Sequence, residues 1–354
     1  MPGAIRLEAA TVCQLACPIC PTTLGTIKAE LGAGFLRFDA FRRLVDDNPS
    51  VWRIELSNWG EIFLNPDLDR IIEYAYRRSV ALTAWNGANL NHVREPVLES
   101  LARYRFRGIT CSIDGVTQET YAAYRREGEI ERVFENIRRL NAYKRRWKTA
   151  YPWLTWQMIA FRHNAHEVEA ARARARELGM GFLLKSGVDP NFPPVPGGEG
   201  ISPATPPPPP GEDLSLHYCA QLWDEPQINF DGALLGCCLN TAQRFGPNVF
   251  EVGLARALAD DRVRYAKRML EGVAPPRPDV PCTSCHIYHQ RARAGAWVDR
   301  TPPPGLVPLL RRRGMGRALV WIGNRFERQL DATRKWKRAW PWPQTGRAAA
   351  AGNA

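Results

Sequence analysis

Along the first two-thirds of the chain, short apolar and β-branched runs alternate with longer stretches whose apolar residues recur every three or four positions. The short runs, residues 4–12, 51–60, 80–87, 108–115, 154–162 and 181–188, have the length and composition of strands. Between them, "FDAFRRLVDD", "DLDRIIEYAYRR", "PVLESLARYR", "IERVFENIRRLNAYKRR" and "HEVEAARARARELG" carry the period of helices packed on a sheet through one face. Six strands alternating with five helices predict an α/β protein built as a parallel βα array. Six units fall short of a closed eight-fold barrel, so a partial barrel or an open sheet is expected. A ligand site is expected at the C-terminal strand ends, where polar and glycine-containing turns stand at 58–61, 86–87 and 112–115.

The pattern stops at residues 192–211, "FPPVPGGEGISPATPPPPPG", whose five consecutive prolines form an extended spacer. The expected division is therefore 1–191, a linker at 192–211, a cysteine-bearing unit at 212–300, and a basic, Trp-rich tail at 301–354. The formal charge of +12 is uneven: the tail holds eleven Lys/Arg against Glu327 and Asp331, hence +9, which leaves +3 for the rest. The bulk of the protein is near neutral, so the charge says little about its site. No apolar run is long enough to span a bilayer, and the first residues lack a secretory pattern. A cytoplasmic location is expected, where the nine cysteines stay reduced.

Cys13, Cys17 and Cys20 form a C-x3-C-x2-C run directly after the first strand. Disulfides, a structural zinc site and an iron–sulfur cluster compete as explanations. Compartment argues against the first. Thiolate zinc sites usually pair two C-x2-C units, whereas this run offers three thiols and no nearby histidine. Three ligands leave one iron of a cubane open to a small molecule.

The run resembles the signature of the radical S-adenosylmethionine (SAM) enzymes, and further segments follow it in the family's order. "LSNWGEIFLNPDL" is similar to the glycine–glutamate turn after strand two, which implies contact of Asn58, Trp59, Gly60 and Glu61 with the SAM amino group. "SIDGVTQETYAAYR" resembles the strand-four segment for ribose and carboxylate, carrying those roles onto Ser112, Asp114 and Arg125. "FRHNAHEVEAARARARELG" matches the passage from strand five to its helix. Ile19 stands where many members place an aromatic residue beside adenine. The resemblance implies a partial (β/α)6 barrel over residues 1–191, with a [4Fe-4S] cluster on Cys13, Cys17 and Cys20 that binds SAM. It also implies a flavodoxin- or ferredoxin-type electron donor, and hydrogen abstraction by a 5′-deoxyadenosyl radical.

A second set, Cys219, Cys237, Cys282 and Cys285, offers four thiols, enough to ligate a cluster fully. With a hairpin turn at Asp231-Gly232, it resembles the single-cluster "twitch" relative of the SPASM auxiliary modules. Its spacing is close to that of the twitch-bearing 2-deoxy-scyllo-inosamine dehydrogenases. The resemblance thus implies two [4Fe-4S] clusters, with structural zinc as the alternative at the second. Cys237 is preferred to Cys238 on spacing, and Cys238 becomes a candidate hydrogen-atom donor. Cys111 reads as a buried, inert thiol, and His163, His166, His286 and His289 lack ligand spacing.

Cys13 leaves no room for a peptide-binding wing ahead of it, which favours a small polar substrate such as a sugar, an aminocyclitol or a glycan-linked group. Oxidation and epimerisation both remain open. A peptide maturase and a non-catalytic iron–sulfur or zinc protein are the alternatives. Two readings of the tail also stay open: a helix packed on the domain before a basic end, or a peripheral segment at the inner membrane surface. No nucleic-acid partner is expected, because no binding fold accompanies the charge.

Overall fold

The computed structural model describes residues 1–186, 216–299 and 305–327. The expected linker lies outside the described residues. The six strands form where the apolar runs lie: β1 Ala4–Leu7, β2 Arg53–Glu55, β3 Ala81–Ala88, β4 Gly108–Ser112, β5 Trp153–Ala160 and β6 Gly181–Ser186. Most end before the predicted run does, because its last residues belong to the loops that carry the site.

Helices α1 Thr26–Leu31 and α2 Phe38–Asp47 follow β1; α3 Leu68–Arg77 and α4 Glu95–Arg103 follow β2 and β3. Helices α5 Gln118–Tyr124 and α6 Ile130–Arg146 follow β4, and α7 Val168–Glu177 follows β5. Helices α2 and α6 coincide with the periodic stretches. The six-residue α1 and seven-residue α5 are too short to display a period. Helix α5 is instead set by the Thr117 side chain, which accepts from the Thr120 N–H at its start.

Strands β1 to β6 pair in parallel and in chain order. Helices α2 to α7 pack their apolar sides on one face of the sheet, as right-handed crossovers between sequential strands require. The pairing Ile54↔Leu82 and Glu55↔Thr83 sets the two faces of the sheet. Ile5, Leu7, Ile54, Leu82, Ile109 and Leu154 join the helices in the main core. The opposite face carries Arg6, Glu8, Glu55, Ser57, Thr83 and Gln157, all buried. Glu55 and Arg6 find their partners within this polar face, while Gln157 Oε1 has none. Glu55 accepts from the Thr83 hydroxyl at 2.6 Å, the Ser57 hydroxyl at 2.6 Å and the Trp85 N–H at 2.9 Å.

The cysteine-bearing segment comprises α8 Leu216–Asp224, β7 Gln227–Ile228, β8 Leu234–Gly236, α9 Val249–Val252, α10 Leu254–Leu258, α11 Asp261–Leu270 and α12 His286–Ala294. Its hairpin turns at Asp231-Gly232 as expected, and β7 adds in parallel to β1, so one sheet of eight strands runs through both parts.

Of the tail, α13 Leu306–Leu310, a π-helical turn Arg311–Met315 and α14 Gly316–Arg325 are described. Helix α14 closes the N-terminal end of the barrel. Val320 packs on Trp52 and Ala81, with Trp153 against them. A Cβ on Gly316 would come within 2.1 Å of the Trp52 ring, so glycine permits the approach. Arg107 donates to the Val320 carbonyl and Asn324, and Glu327 accepts from Arg105 at 3.0 Å and from the Ala150 N–H at 2.6 Å. For residues 305–327, the reading of a helix packed on the domain therefore holds. Residues 328–354, with Trp336, Trp340 and Trp342, lie outside the described residues.

Arg317 donates to the carbonyls of Val51 (2.9 Å), Val45 (2.6 Å) and Asn48 (3.0 Å), tying α14 to the open end of α2. Replacing it with Ala is expected to cost about 1.5–3 kcal/mol, read from urea unfolding, because charged donors are lost from those carbonyls. Lys at this position should restore only part of that, since an ammonium does not span three acceptors as a guanidinium does.

Candidate active site

The loop from β1 to α1 is held before its cysteines begin. The Ala9 carbonyl accepts from the Leu36 N–H at 3.1 Å and from Asn65 Nδ2 at 2.8 Å. The Glu61 N–H donates to the Val12 carbonyl at 2.8 Å. A Cβ on Gly60 would lie 2.2 Å from the Ala10 carbonyl oxygen, so only glycine lets the β2 turn approach this loop. Cys13, Cys17 and Cys20 follow at the C-terminal mouth of the sheet. Cys17 is buried with Leu15, Tyr124 and Phe161, and Cys13, Ile19, Cys20 and Ile159 pack against them.

Burial pushes the Cys13 thiol up to about 12, and neighbouring Glu61, Cys17 and Cys20 push the same way. Cys13 accepts from the Leu15 N–H at 3.5 Å and from Asn89 Nδ2 at 3.7 Å. Burial also raises Cys17, opposed by Arg125, whose guanidinium donates to its sulfur at 3.6 Å. Arg125 is aimed by Asp114, which accepts from its Nε at 2.6 Å and, through the other oxygen, from the Ile159 N–H at 2.6 Å. Asp114 is fully buried and Ser112 nearly so.

The strand-two turn brings Asn58, Trp59, Gly60 and Glu61 to the same mouth. The Glu61 carboxylate is buried. It accepts from the Phe63 N–H at 3.1 Å and from the Asn89 N–H at 2.6 Å, and burial raises it to about 7. Two residues absent from the sequence reading complete the mouth. Glu8 receives the Trp59 N–H at 3.2 Å, and Asn89 links Glu61, Cys13 and Gln14, accepting from Gln14 Nε2 at 2.8 Å. A carboxylate directly after β1 and the repeated asparagines of "ANLN" were the available signals.

In the second set, Cys237 lies in the electrostatic reach of Cys282 and Cys219, and Cys282 in that of Cys219 and Cys285. The adjacent thiols separate here. Cys238 faces the Arg6 guanidinium inside the barrel, while its backbone N–H donates to Gln221 at 2.8 Å and its carbonyl accepts from Asn58 at 3.0 Å. Cys111 is fully buried among core side chains. Among the described residues, no three His, Cys, Asp or Glu side chains are placed to hold a single metal ion.

No protein-family model and no curated protein matches the sequence. Solved structures match the fold. The Streptococcus suis protein SuiB, bound to S-adenosylmethionine, aligns at 13% identity over 81% of this chain and 71% of that one, with a TM-score of 0.57. Native anSMEcpe, bound to AdoMet and the Cp18Cys peptide, aligns at 12% identity over 95% of this chain and all of that one, with a TM-score of 0.54. BtrN in complex with AdoMet and 2-DOIA reaches a TM-score of 0.48 at 13% identity over 81% of this chain and 93% of that one. The chain has the fold of the radical SAM enzymes.

Burial raises Glu8 from its ordinary 4.5 to about 8, against the pull of the Trp59 N–H and Arg6. Between those values the folded protein holds a proton that the unfolded chain has lost, so this contribution to stability falls as pH rises across the window. Glu8→Gln should lose that decline. Urea midpoints of variant and wild type should therefore diverge in the variant's favour from pH 5 to pH 9, and parallel profiles would contradict it.

Proposed function

We infer that the protein is a radical SAM enzyme that oxidises or epimerises a small polar substrate. The observation that carries this reading is the placement of Cys13, Cys17 and Cys20 at the open mouth of a radical SAM fold, beside Arg125 and the Gly60–Glu61 turn. The donor set fits a [4Fe-4S] cluster: three thiols in an apolar pocket, with the Arg125 cation favouring the thiolate of Cys17. When bound, cluster and SAM together supply a 5′-deoxyadenosyl radical able to take hydrogen from an unactivated carbon.

The chain's own residues bind and orient. The backbone of Asn58 to Glu61 and the Glu61 carboxylate would hold the SAM ammonium, and Ile19 would contact the adenine. Arg125, held by Asp114, meets the carboxylate end; Asp114 acts through Arg125, its oxygens already being engaged. Ser112 serves the ribose. Cys219, Cys237, Cys282 and Cys285 would hold an auxiliary [4Fe-4S] cluster in a twitch-type unit, and a flavodoxin- or ferredoxin-type protein would deliver electrons. Cys238, beside Arg6, is the candidate hydrogen donor of an epimerase.

The buried polar face of Arg6, Glu8, Glu55, Ser57, Thr83 and Gln157 supports a small polyhydroxylated or amino-bearing substrate. Gln157 Oε1 is buried there without a hydrogen-bond partner. A peptide substrate is the second reading, favoured by the peptides named with SuiB and anSMEcpe.

Anaerobic reconstitution should give about eight iron per chain, and reduction with SAM should release 5′-deoxyadenosine. Joint replacement of Cys13, Cys17 and Cys20 by Ala should halve the iron and abolish that release. Zinc in place of half the iron would overturn the auxiliary cluster. Cys237→Ala should lower iron or make its second half labile, whereas Cys238→Ala should leave it unchanged; the reverse would exchange their roles.

A further inference from the structure

Of the eleven large hydrophobic residues exposed among the described residues, six lie between Leu306 and Phe326: Leu306, Leu309, Met315, Trp321, Ile322 and Phe326. Helix α14 is apolar on two sides. Gly316, Leu319, Val320 and Gly323 cover the barrel end, at helical spacing. The opposite stripe, Ala318, Trp321, Ile322, Arg325 and Phe326, faces outward, with the Trp321 and Phe326 rings 6.4 Å apart edge to face. A helix apolar all round ordinarily has both faces covered, and here one face is bare. Arg312, Arg313 and Arg325 are exposed as well. Beside it Arg77, Arg78, Arg317 and Trp321 line a cleft of about 330 Å³.

Charge decides what covers this face. Residues 305–326 contain five arginines and no Asp or Glu. In the cleft, Glu73 pairs with Arg77, Asp46 pairs with Arg78, and Arg317 donates to three backbone carbonyls. A second copy in a two-fold contact would bring the same positive charge against it. The remaining tail, residues 328–354, is itself basic, with six Lys/Arg against Asp331.

We propose that the α13–α14 face docks on an anionic phospholipid surface: Trp321, Ile322, Leu306 and Leu309 enter the headgroup boundary, and Arg312, Arg313 and Arg325 meet lipid phosphates. Because α14 covers the N-terminal strand ends, the cysteine mouth points away from that surface. Strands β3 and β5 each span eight residues, which with the thickness of α14 sets the mouth about 35 Å above the lipid, open to the aqueous side.

The test is sedimentation of the reconstituted full-length protein with vesicles of phosphatidylcholine alone or mixed with phosphatidylglycerol. Deleting the helices would unplug the barrel, so exposed side chains are varied instead. Binding is expected to the mixed vesicles, to fall at least tenfold between 50 and 500 mM NaCl, and to be absent on phosphatidylcholine alone. The pair Arg312→Glu/Arg313→Glu, and separately Trp321→Ala, should each weaken binding at least tenfold with unchanged thermal midpoint, iron content and 5′-deoxyadenosine release. Release of 5′-deoxyadenosine should be the same on vesicles as in solution, as an outward mouth requires. Equal recovery in the supernatant with both vesicles, unaltered binding by the variants, or a dimer in solution that Trp321→Ala dissociates would each overturn the proposal.

Discussion

A sheet with helices on one side only has a second face that no helix covers, and the rest of this structure answers that constraint. Here the uncovered face is polar and curled inward. Arg6, Glu8 and Glu55 are buried on it, and burying charge is tolerable only when partners are supplied. They are supplied from neighbouring strands: Arg6 donates to Gln227 of β7 and to the Ser57 carbonyl, and Glu55 collects four donors from β2 and β3. The hairpin β7–β8 extends the sheet at β1, α14 stops its lower end, and the cysteine loop stands at the upper one. An interior both polar and closed at one end is suited to receiving a polar ligand from the other.

The same burial sets the chemistry of the mouth. It holds Glu8, Glu61 and the Cys13 thiol toward their neutral forms, and a cation brought to the mouth would favour ionising each. Arg125 opposes this at Cys17 and is fixed by a carboxylate with no other freedom. Asp114 thus works one step removed, fixing where a guanidinium points. Gly60 plays the corresponding steric part, since a side chain there would separate the β2 turn from the loop that carries the thiols.

The auxiliary segment shows how adjacent residues acquire different surroundings. Cys237 and Cys238 leave the end of β8, where successive side chains point to opposite sides. One meets Cys219 and Cys282; the other meets Arg6 inside the barrel. The pair therefore joins the second thiol set to the barrel interior through one peptide bond.

Much of this was legible in the sequence. Strand and helix positions followed from apolar periodicity, since packing on a sheet demands it, and α2 and α6 coincide with the patterns that predict them. The C-x3-C-x2-C run, the turn at Gly60 and the Ser112–Arg125 segment were legible because each is local: spacing along the chain fixes what can converge at a strand end. Contacts between distant positions were not. Glu8 beneath Trp59, Asn89 beside Cys13, the hairpin joined to β1 and the direction of Cys238 depend on pairings across the fold that no local pattern encodes. The tail is the sharpest case. Its composition gave apolar residues among arginines, and only packing divided them into a face that seals the barrel and a face that does not, because a single helix carries both stripes and the tertiary contact covers one.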